Sequence, residues 1–207
     1  MYEFTAKLAA WLWPIFVVTT ISGCIYALFA AVLLRRFAQK MAGVRPSALN
    51  LTILKHLYGR EPELETNLAS FCKQDYSGRV QLIFGVHGPD DPAGAVVGRL
   101  RERFPDHDIE LVANPSEHGS NPKISNIINM LPCARYDILV VSDSDIRVAP
   151  DYLRVVVSKL SAPGVGLVTC LYRGIPIAGF WSNLAAAAIM ILSTSGSINL
   201  PKFVITP

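Results

Sequence analysis

Residues 136–148 read YDILVVSDSDIRV, and this stretch decides the fold. The apolar run from Ile138 to Val141 predicts a buried strand that stops at a polar corner holding Asp143 and Asp145. Extended backbone points residues i and i+2 to one side, so both carboxylates are expected to face one site at the carboxyl end of the strand. Open α/β sheets bind ligands at that end. A hard divalent cation held by one or two carboxylates, with phosphate oxygens completing an octahedral shell, is the chemistry such a pair serves. The same tripeptide also caps ordinary turns in solvent; its position after a buried strand separates the two readings.

Outward from this strand the pattern alternates. LTILKHL from Leu51 and VQLIFGV from Val80 predict strands, residues 109–113 a shorter one, and residues 165–172 a fifth beyond the central motif. Between them, Glu61-Pro62 opens a helix with Leu64, Leu68 and Phe71 on one face, and residues 94–104 predict another. Asn121-Pro122 starts a third, with Asn as N-cap and Pro at the first helical position, and a fourth runs from Pro150. This alternation predicts an α/β fold with a mostly parallel sheet and helices on both faces. Right-handed crossovers then bring the strand-end loops to one rim. That rim carries Lys55-His56, Asp90-Asp91 and Asp143-Ser144-Asp145. Lys123 is expected to join them from a helix N-terminus, where an ammonium and free backbone N–H groups both favour phosphate. Each has a plainer reading: Lys55 and Lys123 as solvated surface lysines, and Asp90-Asp91-Pro92 as a helix-start signal. The four histidines show no ligand spacing and are assigned no role.

The 207 residues leave room for one domain of ordinary size plus an appendage, and they contain no internal repeat. A net charge of +3, scattered along the chain, excludes a nucleic-acid partner. Cys24, Cys72, Cys133 and Cys170 are far apart and form no C-x-x-C, which suits a reducing compartment. The apolar excess lies near the N-terminus, where residues 11–34 run for 24 positions without a charge. That is long enough to cross a hydrocarbon core of about 30 Å. Trp11 and Trp13 suit one interface, and Arg35, Arg36, Lys40 and Arg45 crowd the other, so the N-terminus is expected outside and the remainder in the cytoplasm. A basic start, a short apolar core and a small-residue cleavage site would mark a signal peptide, and none is present. The expected organisation is an anchor over 1–36, a basic linker over 37–48 lying against anionic lipid headgroups, an α/β domain over 49–175 and an atypical apolar tail over 176–207.

ILKHLYGREPELETNLASFCKQDY, the DDPA turn after a strand, GSNPKISN and SDSDIRVAPDYL follow one another in a characteristic order and spacing. Over roughly residues 50–173 the chain resembles the ceramide glucosyltransferases and their relatives, the bacterial hopanoid-associated glycosyltransferases. DSD followed by IRV is closer to the hopanoid type, since eukaryotic ceramide enzymes tend to have Gly where Asp145 stands. The resemblance implies an inverting hexosyltransferase of the GT-A type, with a Rossmann-like nucleotide-sugar-binding half preceded by one N-terminal transmembrane helix in a bacterial-type inner membrane. It implies that Asp91 binds the nucleotide base, that Asp143 with Asp145 holds a divalent metal (Mg or Mn) and the diphosphate, and that Lys123 lies near the phosphates. It also implies that the segment from Leu54 to Tyr58, Lys55 included, flanks the uridine. The donor would be a UDP-sugar, and the acceptor a membrane lipid hydroxyl on ceramide or a hopanoid.

The departures carry equal weight. An inverting transfer needs a general base for the acceptor hydroxyl, and the resemblance places it in a third acidic motif well downstream, ahead of a Q/R-x-x-R-W motif. The last carboxylate here is Asp151, and no Asp, Glu or His occurs over 152–207. MILSTSGSINLPKFVITP departs from the family, and the nine apolar residues from Leu184 to Leu192 are too short to span a bilayer, predicting a core or interfacial helix. Together these predict a donor-binding half interrupted by truncation or a shifted frame, with uncovered apolar surface and low stability. Three alternatives stand beside this reading. One is a nucleotide-sugar-binding module without catalysis. Another is a polyprenyl-phosphate or polysaccharide sugar transferase of the same fold. The third, an aspartate-nucleophile phosphatase, fits poorly because Arg147 stands where Thr or Val is wanted.

Overall fold

The computed structural model describes residues 2–40, 48–170, 172–176 and 179–198. The chain divides into two compact units, one formed by 44–163 and the other by 1–43 with 164–207. In the first, β1 (Leu51–His56), β2 (Val80–Val86), β3 (Asp108–Ala113) and β4 (Leu139–Asp143) form a four-stranded sheet in the order β3-β2-β1-β4. Every pairing is parallel. The crossovers are α2 (Leu64–Cys72), α3 (Pro92–Arg103) and α4 (Pro122–Met130), and α5 (Tyr152–Leu160) comes after β4.

Side-chain alternation along β1 explains the layers. Leu51 and Ile53 point into the larger core, where α2 brings Leu64, Leu68 and Phe71, α3 brings Val97 and Leu100, and α5 brings Leu153 and Val157. Leu54 points the other way and packs with Ile83 and Met130 of α4. Helices therefore cover both faces, as a parallel sheet requires. At the start of that second face Gln81 is buried but satisfied: its Oε1 accepts from Thr52 Oγ1 at 2.9 Å and from Arg135 N at 2.9 Å, and its Nε2 donates to Cys133 O at 2.9 Å.

β4 departs from the expected buried strand. Val140 and Ser142 are buried, but Leu139 and Val141 are 41% and 52% exposed. β4 is an edge strand, and Leu139 and Val141 stand beside Thr52 and Leu54 on the α4 face, where α4 packs over β1 and β2. The expected fifth strand is also corrected. Residues 165–170 carry no strand and lie in the other unit, because no neighbouring strand completes their backbone hydrogen bonds.

The second unit contains α1 (Tyr2–Lys40) and α6 (Gly179–Ile198). Among the described residues one helix is long and apolar enough to cross a membrane, residues Trp11–Leu33 of α1, with mean hydropathy 2.2 and a surface left entirely unburied. α1 runs through the first positions of the expected linker as far as Lys40, while Arg45 and the rest of that basic segment up to residue 47 lie outside the described residues. The helix expected around the apolar residues 184–192 is present within α6, which extends over 20 residues. The run from Ala185 to Ala188 supplies strong helix formers at its centre, and the flanking Ser and Thr residues do not interrupt it.

Two small features hold the α/β unit in register. A Cβ at Gly85 would overlap Asn126 Oδ1 and stand 2.7 Å from Met130 Sδ, so glycine leaves room for these two α4 side chains, which would otherwise have to move. Asp91 caps α3, Oδ1 accepting from Ala93 N at 2.8 Å, and the same carboxylate accepts from Gly59 N at 3.1 and 3.2 Å. Gly59 has φ 64°, which favours glycine there.

Urea denaturation of the detergent-solubilised chain, monitored by circular dichroism, tests both features. Gly85→Ala is expected to destabilise by about 1–3 kcal/mol through overpacking. Gly98→Ala, on α3 with open space around its Cα, stabilises by about 0.5–1 kcal/mol. Asp91→Ala costs about 1–2 kcal/mol as a lost cap, and Asp91→Asn costs less than half of that.

Candidate functional site

Parallel register brings the strand ends together: His56 of β1 sits opposite Gly85 of β2 on one side and Asp143 of β4 on the other. Above this rim opens a cleft of about 490 Å³ lined by His56, Glu61, Pro62, Lys123, Asp143, Ser144 and Asp145. Asp143 ends β4, and Ser144 and Asp145 form a turn in which Ile146 N donates to Asp143 O at 3.3 Å. Both carboxylates reach the cleft, but through a turn and not through the extended i, i+2 alternation expected. Beyond the turn, α2 holds the chain in place. Ser70 Oγ accepts from Val148 N at 3.1 Å, and Gln74 bonds both Ala149 O at 2.8 Å and Leu153 N at 3.0 Å. Asn67 Oδ1 accepts from Arg147 Nε at 3.3 Å. Asn67 and Ser70 share one stripe of α2 and Gln74 lies just past its end, so the helix and its exit together anchor the segment after the motif.

Lys123 enters from the first turn of α4 and its ammonium pairs with Asp143 Oδ1. Both side chains are nearly half exposed, so water screens the pair and it adds little to stability. Its worth is in placing a cation beside a carboxylate. The expected contribution of free α4 amides is corrected: Asn121 Oδ1 already accepts from Lys123 N at 3.0 Å and Ile124 N at 3.3 Å. The cationic group that this helix start presents to the cleft is therefore the Lys123 ammonium.

Lys55 lies elsewhere than either sequence reading suggested. It is neither a solvated surface lysine nor a residue of the cleft wall, but 0% exposed. It points to the α2 face, where Nζ lies 3.9 Å from the centre of the Phe71 ring and donates to Asp143 O at 2.7 Å and Ser142 Oγ at 3.2 Å. Burial pulls its pKa down to about 7, against the opposing pull of Asp143, Asp145 and Glu61. Asp91 stands on the rim but does not line the cleft, its carboxylate being engaged with Gly59 and Ala93.

Glu61 was missed as a cleft residue by reading the sequence, and His56, placed on the rim, was given no role. Glu61 accepts from Ser144 Oγ at 2.8 Å through Oε1, and its buried Oε2 has no hydrogen-bond partner. His56 Nδ1 is likewise buried and without one. Burial lowers the His56 pKa and the charge of Lys123 adds to that, outweighing Glu61, Asp143 and Asn126, which favours the neutral ring. Glu61 was read as a helix opening, and the topological rule that strand-end loops face the ligand was the signal for both.

Among the described residues no group of three or more His, Cys, Asp and Glu side chains is arranged to hold a metal. Asp143 and Asp145 nevertheless supply two hard oxygen donors on one cleft, with Glu61 Oε2 lacking a partner nearby. That set fits magnesium or manganese, which complete their shells with phosphate oxygens and water, and does not fit zinc, which prefers nitrogen and sulfur.

Comparison with known proteins bears on the fold and the family. The chain is 30% identical over 115 residues to a ceramide glucosyltransferase of Candida albicans, covering 50% of this chain and 21% of that protein. It is 31% identical over 121 residues to a ceramide glucosyltransferase of Komagataella phaffii, covering 56% and 24%. The chain thus spans about a quarter of the length of these relatives. Among solved structures it resembles a mannosyltransferase from Pyrobaculum calidifontis, in complex with GDP-Man and Mn2+, with a TM-score of 0.53 and 26% identity over 71% of this chain and 44% of that one. The α/β unit accordingly has a GT-A-like glycosyltransferase fold. Residues 15–198 match the family pattern of Glycosyl transferase family 21, and the chain belongs to that family.

Proposed function

We propose that the cleft holds the diphosphate of a UDP-sugar together with a magnesium or manganese ion, and that the whole protein transfers the hexose to a lipid hydroxyl such as that of ceramide or a hopanoid. One observation carries this reading: Lys123, Asp143 and Asp145 converge on one cleft at the carboxyl rim of a parallel sheet. Asp143 and Asp145 hold the ion, and Lys123 faces the phosphates as a point charge. A bound cation neutralises the charge that builds on the leaving diphosphate. Glu61 and His56 offer a buried acceptor and a neutral ring nitrogen to hydroxyl or N–H groups of the donor. Asp91, through Gly59, shapes the end of the rim where the base is expected. α1 serves as the anchor, with Arg35 and Arg36 on the cytoplasmic side. The mannosyltransferase neighbour, described with GDP-Man and Mn2+, supports a nucleotide-sugar donor and a divalent ion.

A second reading, donor binding without transfer by these 207 residues, is favoured by the lack of any Asp, Glu or His after Asp151. Measuring sugar transfer beside binding separates the two.

In a thermal-shift titration of the detergent-solubilised chain, UDP with Mn2+ is expected to stabilise by about 2.7 kcal/mol at a hundredfold excess over Kd. GDP with Mn2+ is expected to do markedly less. Asp143→Asn and Asp145→Asn each remove the metal-dependent part, and Lys123→Met weakens UDP binding about tenfold, or roughly 1.4 kcal/mol. The absence of metal-dependent stabilisation in the wild-type chain would overturn the proposal.

A further inference from the structure

Lys55 is the feature that neither the cleft wall nor ordinary core packing explains. Ile53, on the same face of β1, and Leu57, just past the strand's end, are fully buried apolar residues, and its register partners are Phe84 on β2 and Ser142 on β4. An apolar side chain would fill this place without the several kcal/mol that desolvating an ammonium costs. Instead, a lysine is buried with no carboxylate within ion-pair distance among the described residues, and it spends its donors on the end of β4. The Asp143 carbonyl receives Lys55 Nζ at 2.7 Å, Ser142 Oγ at 3.3 Å and Ile146 N at 3.3 Å. This carbonyl is the pivot where β4 gives way to the turn carrying Asp145.

We infer that Lys55 is a positioning residue: from inside the core it clamps the Asp143 carbonyl and so sets the direction in which the Asp143 and Asp145 carboxylates meet a divalent ion. It touches neither ion nor donor, since its side chain is wholly enclosed and absent from the cleft wall. The Phe71 face, 3.9 Å away, holds the ammonium from behind, so α2 and β4 are tied through one side chain. The lysine also lies under the cleft's three carboxylates, Asp143, Asp145 and Glu61, all of which act on its charge. Groups that orient a metal ligand without touching the metal commonly govern affinity by about 10–100-fold.

This inference rests on the reading of Asp143 and Asp145 as the ion-holding pair, and the test separates the two. Mn2+ binding to the full detergent-solubilised chain in saturating UDP is measured by electron paramagnetic resonance, with the melting temperature of the metal-free chain recorded in parallel. Lys55→Met keeps the apolar stem against Phe71 and removes the donors. It is expected to weaken Mn2+ binding about tenfold or more, while the metal-free melting temperature holds or rises because a buried charge has gone. Lys55→Arg, close in volume and still a donor, is expected to recover most of the affinity. A Lys55→Met chain that binds Mn2+ as the wild type does would overturn the inference and leave the cleft assignment standing. A parallel fall in affinity and metal-free stability would overturn it too, as a plain packing effect. If the Met chain does not fold, Lys55→Arg decides: near-wild-type affinity supports the clamp, and a tenfold loss in a chain of unchanged stability refutes it. A wild-type chain that binds no Mn2+ with UDP refutes the underlying site along with the clamp.

Discussion

Everything in the α/β unit depends on β1 being paired on both sides by parallel strands in one register. Leu51, Ile53 and Leu54 have no exposed surface and are buried on two faces of the sheet, so β1 contributes to the apolar layer on either side. A slip of β1 by one residue would exchange its two faces, putting Leu54 where Ile53 and Lys55 belong. The same register aligns His56 with Gly85 and Asp143, so the cleft is a direct product of core packing. Gly85 then leaves room for Asn126 and Met130 of α4, the helix that brings Lys123 to Asp143.

Asp143 is approached by two lysines under opposite physical conditions. Lys123 meets the carboxylate from solvent, where screening leaves the pair exchangeable and free to rearrange around an anionic ligand. Lys55 meets the backbone carbonyl from the interior, where an unmade hydrogen bond is expensive and the contact is correspondingly fixed. One residue thus has a rigid main chain and an adaptable side chain. That division suits a group that must hold its place while its charge is shared.

The fold was legible because parallel strands and their crossovers carry strong periodic signals: β1, β2 and β3 and the helix at Asn121-Pro122 arise directly from apolar runs and capping residues. The Asp143–Asp145 pair and Lys123 were legible for the same reason, each sitting at an element boundary. What escaped was set by tertiary position. An apolar run is the same in a central strand and an edge strand, so the exposure of Leu139 and Val141 could not be read from their identity. Residues 165–172 have strand-like composition, but a strand needs a neighbour, and composition does not say whether one exists. Lys55 looks like any surface lysine because burial belongs to its surroundings and not to its own type. His56 and Glu61 lack motif spacing, and only the shared rim joins them.

The carboxylate of Asp91 links two segments of the rim. It ties the first turn of α3 to the left-handed Gly59, two residues before Glu61 in the cleft wall. Any ligand group that donated hydrogen bonds to this carboxylate would compete with the Gly59 amide for its oxygens. The grip on residues 57–61 would then slacken or tighten with occupancy at the far end of the rim. If the proposed donor binds here, recognition at one extremity of the ligand would be geared mechanically to the shape of the wall that receives the other.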